Sequence, residues 1–427
     1  MGAPELKSFM YSFILGILVM TLLAQSTGAA DWPQWRGPDR TGHVPEGEAV
    51  PVTIPAEPKT LWRIKIGDGF ASPVVAGGKV FYFDNQAGQE TLHALDAAKG
   101  NELWRTNIDK AFTDQQGPSG PRCTPMADGD RIYAQSCQGE LRCVRMTDGG
   151  LLWRTNFKDF GAVFIGEKGN AQGASRHGNN GSPIIDGAAL FAQVGSTNGA
   201  SVVAFDKMTG QVLWKSQNDQ AAYAAPIIAT IAGVKQLVSF TTDGVIGLAL
   251  KDGRLLWRVP VHTTFARHVT TPVVFGDMVV VSSHEIGLIG IKVTGDAAGC
   301  RAEQMWVRKE SAINFSSPVV DGQYLYGLGP EKNLICVDLK TGKQAWSKEG
   351  YISAAGTRAF AAFVVMDKNI LALTDGGNLV LFAAEPREFK ELGRAQVCGK
   401  TWCNPAYADG NLFLRDAREL LCVCLLP

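Results

Sequence analysis

The chain has 427 residues, and 41 Lys plus Arg are balanced by 41 Asp plus Glu, so the formal net charge is zero. That balance argues against a nucleic-acid binder, which normally carries a basic excess toward phosphates. With 48 glycines, only 19% charged residues and many short apolar runs, the composition indicates turn-rich β structure rather than disorder.

Residues 1–30 read as a secretory signal. Lys7 precedes an uncharged run from Phe9 to Ala24, followed by small residues from Ser26 to Ala30. Cleavage after Ala30 would leave Asp31 first. The run is shorter than the roughly 20 residues of a spanning helix, which disfavours the alternative of an uncleaved anchor. No later segment is apolar enough to span a bilayer, so the mature chain is expected in the periplasm or outside the cell. Residues 31–58 form an N-terminal extended segment.

From residue 59 to 427 the chain repeats. Tryptophans recur in similar settings at Trp62, Trp104, Trp153, Trp214, Trp257, Trp306 and Trp346. After each comes a small or polar residue, then Pro and apolar residues: Ser72-Pro73-Val74-Val75, Thr124-Pro125, Ser182-Pro183, Ala225-Pro226, Thr271-Pro272, Ser317-Pro318 and Asn404-Pro405. One copy, Ala361-Ala362-Phe363-Val364-Val365, lacks the Pro. Each copy has a Pro-led strand, a tight turn, a second strand, a third strand, a Gly turn such as Asp206-Lys207-Met208-Thr209-Gly210, and the Trp strand. Four short strands per unit is the propeller pattern. The last copy has no Trp strand, and the Trp62 strand precedes any Pro-led strand. The expectation is therefore an all-β, eight-bladed propeller of four-stranded antiparallel blades, its ring closed by the Trp62 strand, which removes the sheet edges. The tryptophans are expected to pack between neighbouring sheets.

Nine cysteines are present. Cys398 and Cys403 flank a short loop and are the best candidates for a bridge; buried free thiols are an equally good reading of the others.

The units Ser-Pro-Val-Val, Leu-x-Ala-Leu-Asp and Thr-Gly-x-x-x-Trp resemble the pyrroloquinoline-quinone (PQQ) repeat propellers, which include the quinoprotein alcohol dehydrogenases and the BamB lipoproteins. Asp31-Trp32-Pro33-Gln34-Trp35-Arg36-Gly37-Pro38 and Gly120-Pro121-Arg122-Cys123-Thr124-Pro125 resemble signatures of exported PQQ-like propellers of planctomycete-type bacteria. The resemblance implies a fold better than an activity. Quinoprotein enzymes carry adjacent cysteines over the quinone and a calcium held by Glu, Asn and Asp; this chain has no adjacent cysteines and no lipobox Cys. PQQ is a possible cofactor that these residues do not support, and no metal site is expected.

In a propeller the loops leading into the inner strands gather at one channel mouth. Two are long here, from Trp104 to Pro125 and from Trp153 to Pro183, and long loops on a rigid scaffold commonly carry function. They contain Arg122 and Arg176-His177-Gly178-Asn179-Asn180. Tyr223, Arg267-His268, Asn314, Arg358 and Trp402 follow round the mouth, with His284 and Glu285 between strands of the fifth blade. Three readings stand: loop bracing, an anion or sugar site built from Arg and His donors with aromatic platforms, and a catalytic or metal site using His177, His268, His284 and Glu285. The leading functional reading is a non-catalytic binding or scaffold module for a small polar or anionic ligand or another exported protein. The alternative is an enzyme, either a divergent quinoprotein dehydrogenase or a carbohydrate-active protein.

Overall fold

The computed structural model describes residues 1–2, 31–115, 117–353 and 358–426; the expected signal, residues 1–30, lies outside the described residues from residue 3 onward. Among the described residues, no helix is long and apolar enough to cross a membrane.

Eight four-stranded antiparallel sheets form the ring. Blade 1 sets the pattern, with strands Val74–Ala76, Lys79–Gln86, Gln89–Asp96 and Glu102–Lys110 in order from the inside outward. Blades 2 to 7 begin at Met126, Ile184, Ile227, Val273, Val319 and Ala361. Blade 8 has three strands from the C-terminal end of the chain (Ala406–Ala408, Asn411–Arg415, Glu419–Cys424). Its outer strand is Lys59–Lys65, antiparallel to the last, with Trp62 opposite Cys422. The expected closure is therefore the observed one, and it leaves the ring without a first or last blade.

The repeated residues couple each blade to the next. Trp62 donates its indole N–H to the Ala97 carbonyl of blade 1 at 2.8 Å, and Trp104 to Met146 of blade 2 at 3.0 Å. Trp153, Trp214, Trp306 and Trp346 bond the following blade in the same way, through Lys207, Leu250, Leu339 and Glu385. Each acceptor lies in the turn before an outer strand, and in every such turn but that of Glu385 a glycine has a double duty. Gly100 sits at φ +72°, and a Cβ there would stand 2.7 Å from the Trp62 ring. Across the strand pair from each tryptophan is a small residue: Ala94, Cys143, Ala204, Gly247, Gly290, Cys336 and Cys422. Three of the cysteines are thus small residues that leave room for an indole.

The residue before each Pro has a separate role at the inner rim. Ser72 N–H donates to Thr124 Oγ1, Thr124 N–H to Ser182 Oγ, Thr271 N–H to Ser317 Oγ, and Asn404 N–H to Ser72 Oγ. The preference for Ser or Thr before Pro is an inter-blade hydrogen bond.

The N-terminal segment crosses the channel and touches all eight blades. Trp32 pairs with Val75, and the Pro33 carbonyl accepts from Ala127 N–H. Arg40 donates to the Ser182 and Pro183 carbonyls of blade 3 and to Pro226 of blade 4. Trp35 donates to Thr271 Oγ1 at 3.1 Å, Arg36 to the Pro318 carbonyl, and Val44 N–H to Val365. The Ala49 carbonyl accepts from the Tyr407 hydroxyl in blade 8. Arg36 and Arg40 are buried, and burial pushes their guanidinium groups down to about 10 and about 9. Among the described residues neither makes a salt bridge, and backbone carbonyls take the place of counter-ions.

The bridge expected between Cys398 and Cys403 is not formed; all nine cysteines are free thiols. Each thiol has its own carbonyl partner. Cys398 Sγ faces its neighbour's carbonyl at Gly399, whereas Cys403 Sγ points into blade 1, to the Phe70 carbonyl at 3.3 Å.

Candidate functional site

A cavity of about 180 Å³ opens at the face opposite the segment 31–49, with Trp35 as its floor. Every blade contributes from the loop leading into its inner strand. The residue three before each Pro faces inward: Phe70, Arg122, Asn180, Tyr223, Val269, Phe315 and Trp402. Ser182, Ala225, Thr271, Ser317 and Asn404, each immediately before a Pro, also line it. This follows from strand geometry, since alternate residues of an extended lead-in face one side. His177, Arg267 and Arg358 complete the wall.

The cavity has two unlike halves. Blades 2 to 5 supply Arg122, His177, Tyr223 and Arg267. Blades 6, 8 and 1 supply Phe315, Trp402 and Phe70. Trp402 is the centre of the aromatic side: Phe70 stacks on it at 5.9 Å, Phe315 tilts against it at 5.3 Å, and buried Phe360 stacks at 6.0 Å.

On the polar side, Asp114 holds the arrangement together. Arg122 donates to both of its oxygens, at 2.9 and 3.0 Å, and to the His177 carbonyl at 3.0 Å. His177 Nδ1 is 3.0 Å from Asp114 Oδ2 and 3.7 Å from Glu167. Burial alone would lower the Arg122 pKa, but the Asp114 bonds outweigh it and hold the guanidinium charged. Tyr223 is buried, which pushes its phenol pKa up, and its hydroxyl donates to the Gly173 carbonyl at 2.7 Å.

Of the residues singled out in the sequence, Arg122, His177, Asn180, Tyr223, Arg267, Arg358 and Trp402 line the cavity. The others do not. Asn179 is wholly buried and donates to the Gln193 carbonyl at 2.6 Å, bracing the loop. His268 is also buried, stacked on Phe240 at 4.2 Å with Nδ1 against Ser283 Oγ; burial lowers its pKa to about 4, so it stays neutral. Arg176 lies at the rim over the Phe265 ring, with its Nε donating to His177 Nε2. His284 and Glu285 form their own pair at 3.6 Å; Glu285 also accepts from Thr264 N–H, and that bond together with the nearby His284 and Arg267 charges lowers its pKa. Asn314 sits behind Phe315 in the chain and outside the lining. His177, His268, His284 and Glu285 are therefore not one constellation. The sequence reading missed Trp35, Phe70, Phe315 and Asp114. The first three follow from the offset before Pro and from the aromatic signature near residue 35; nothing in the spacing marks Asp114.

The calcium and quinone arrangement does not fit this lining. Calcium needs several carboxylate or carbonyl oxygens, and no lining residue is Asp or Glu. Among the described residues, no group of three His, Cys, Asp or Glu is placed to hold a metal ion.

The profile of the family described as outer membrane protein assembly factor BamB, of the PQQ repeat type, matches residues 88–348. The chain belongs to this family. BamB of Shewanella oneidensis is 22% identical over 415 residues, covering 90% of this chain and 93% of the relative. BamB of Yersinia pestis is 24% identical over 381 residues, covering 85% and 77%. The crystal structure of BamB from Moraxella catarrhalis superposes with a TM-score of 0.56 at 14% identity, covering 86% of this chain and 98% of that one. That likeness establishes a shared fold.

Proposed function

We propose that this BamB-family chain is exported, loses residues 1–30, and acts in the cell envelope as a non-catalytic binding scaffold for outer-membrane protein assembly, as the names of its relatives describe. The observation that carries the reading is the one-sided channel. Residues 31–49 bond every blade at one end, and all eight lead-in loops converge at the other. A face assembled from eight loops on a rigid ring suits partner recognition. Trp32, second in the chain after the expected cleavage site, is already buried in the ring, which is compatible with a mature chain that starts at Asp31.

Val163, Ile165 and Phe265 are exposed apolar residues on the long-loop side. Photo-crosslinking groups placed there in the native host are expected to trap envelope proteins, while one at Met208, in a turn at the opposite face, is not. Equal yields from both faces, or an N-terminus still at Met1 in the envelope fraction, would overturn the reading.

A further inference from the structure

We propose that the mouth cavity is also a binding site for a small, flat aromatic carboxylate, its ring against Phe70, Phe315 and Trp402 and its carboxylate at Arg267. This goes beyond the scaffold reading, and either can fail alone.

The aromatic half sets the ring class. Trp402 is fixed by Phe70, Phe315 and Phe360, so an apolar plane meets a wall already ordered, with little side-chain freedom left to lose on binding. Aromatic surroundings alone would suit a cation equally well. The charges decide against it. Three arginines line the cavity, and among the described residues no carboxylate does. Arg122 is committed to Asp114 and is not the anion's first partner.

Arg267 differs from Arg122. Among the described residues its guanidinium makes no hydrogen bond or salt bridge, although it lines the cavity and is half-buried. The turn that delivers it is strained: Phe265 and Ala266, immediately before it, both have positive φ, at +64° and +45°. Consecutive non-glycine residues in that region persist only where surrounding contacts hold them. Here Arg176 stacks over the Phe265 ring at 4.6 Å, and Ala266 is buried. The result is a fork of donors delivered by blade 5, beside Phe315 of blade 6 and on the opposite side of the ring from Phe70 of blade 1, matched to the two oxygens of a carboxylate. Thr271 on the same blade as Arg267, and Ser317 and Asn404 on the blades of Phe315 and Trp402, also line the cavity and add polar groups without charge.

The test uses the purified full chain and naphthoate, followed by calorimetry and by quenching of tryptophan fluorescence. Acetate carries the charge without the ring, and naphthylmethylammonium carries the ring with the opposite charge. Naphthoate is expected to bind at least about tenfold more tightly than either. Arg267→Gln is expected to weaken naphthoate about tenfold or more and to leave neutral naphthalenemethanol unchanged, since only the charged contact is lost. Phe315→Leu should weaken both ring compounds. Circular dichroism and melting confirm that each variant is folded, and a misfolded Phe315→Leu is replaced by Trp402→Phe. The proposal is overturned by a folded protein that binds no naphthoate at about 10 mM, that binds the ammonium probe equally well, or whose naphthoate affinity is indifferent to Arg267→Gln.

Discussion

Ile54 lies against Gly393, which holds in the seventh blade the position that tryptophan holds in the others. A Cβ on Gly393 would stand 2.8 Å from the Ile54 backbone nitrogen. Opposite Gly393 is Leu381, where the tryptophan blades keep a small residue. The N-terminal segment thus replaces a missing indole from outside the repeat, and Thr53 fastens it to the Leu392 carbonyl at 2.7 Å. We predict that Ile54→Ala costs about 2–4 kcal/mol, the usual range for emptying a buried aliphatic site. Urea denaturation measures it; a midpoint unchanged from the parent would show that Ile54 is not part of the packing.

Arg40 gives the second prediction. It joins blades 3 and 4 through three backbone carbonyls, and bonds to Gln34 Oε1 at 2.8 Å within its own segment. Hydrogen bonds to a charged group contribute about 1.5–3 kcal/mol each, and the carbonyls left behind would be unsatisfied. Arg40→Ala should lower stability by at least about 3 kcal/mol. Arg40→Lys should recover little, because an ammonium cannot reproduce a planar fork spanning two blades. Limited proteolysis should then cut within residues 31–58. An intact N-terminal segment in Arg40→Ala would contradict this account.

The blades were legible from sequence because their markers recur: Trp, the pre-Pro hydroxyl and the Thr-Gly turn each serve one contact between successive blades. The N-terminal segment was not, because it occurs once. Residues 31–58 read only as extended, although Arg36 and Arg40 prove to bind carbonyls brought together by ring closure. The same physics hid Asp114. Its partners Arg122 and His177 come from two blades, and no local spacing records which carboxylate will meet them. His268 misled because a histidine leading into an inner strand can face the channel or the space between sheets, and stacking on Phe240 takes it into the latter.

A third prediction concerns pH. Glu90 is fully buried, accepting from Phe112 N–H at 3.2 Å and Cys137 N–H at 3.3 Å, and burial pushes its pKa up to about 7. A carboxyl group raised above its unfolded value binds its proton more tightly when folded. Its contribution is therefore fully present below the unfolded pKa of 4.5 and is lost as pH rises through about 7. Glu90→Gln removes that loss. The stability of the variant relative to the parent should rise between these two pH values and level off above, by about 3 kcal/mol at most. Taking the difference cancels the opposite trend from His268, which loses stability as pH falls toward 4. A difference that is flat with pH would mean that Glu90 is already charged throughout.

The thiols give the fourth. Seven cysteines are buried, while Cys300 and Cys424 are partly exposed. Iodoacetamide on the native protein should modify those two and spare the rest, with all nine reacting only after unfolding in the absence of reductant. Peptide mapping reads both states. A Cys398–Cys403 disulfide in the exported protein would refute the free-thiol arrangement.

The Lys59–Lys65 strand has no sheet to join until Glu419–Cys424 exists, and Arg36 and Arg40 have no carbonyls to bind before blades 3, 4 and 6 are in place. A chain delivered N-terminus first, from a ribosome or through a membrane pore, therefore releases its earliest segment with nothing to hold. Completion waits for the last strand, and closing a loop of nearly the whole chain makes that final step slow relative to folding of any single blade. During the interval the Trp62 strand, and Trp35 until blade 5 is made, stand uncovered. That nascent arm is the surface a folding helper or a protease would meet first, and the moment of ring closure is when the protein escapes both.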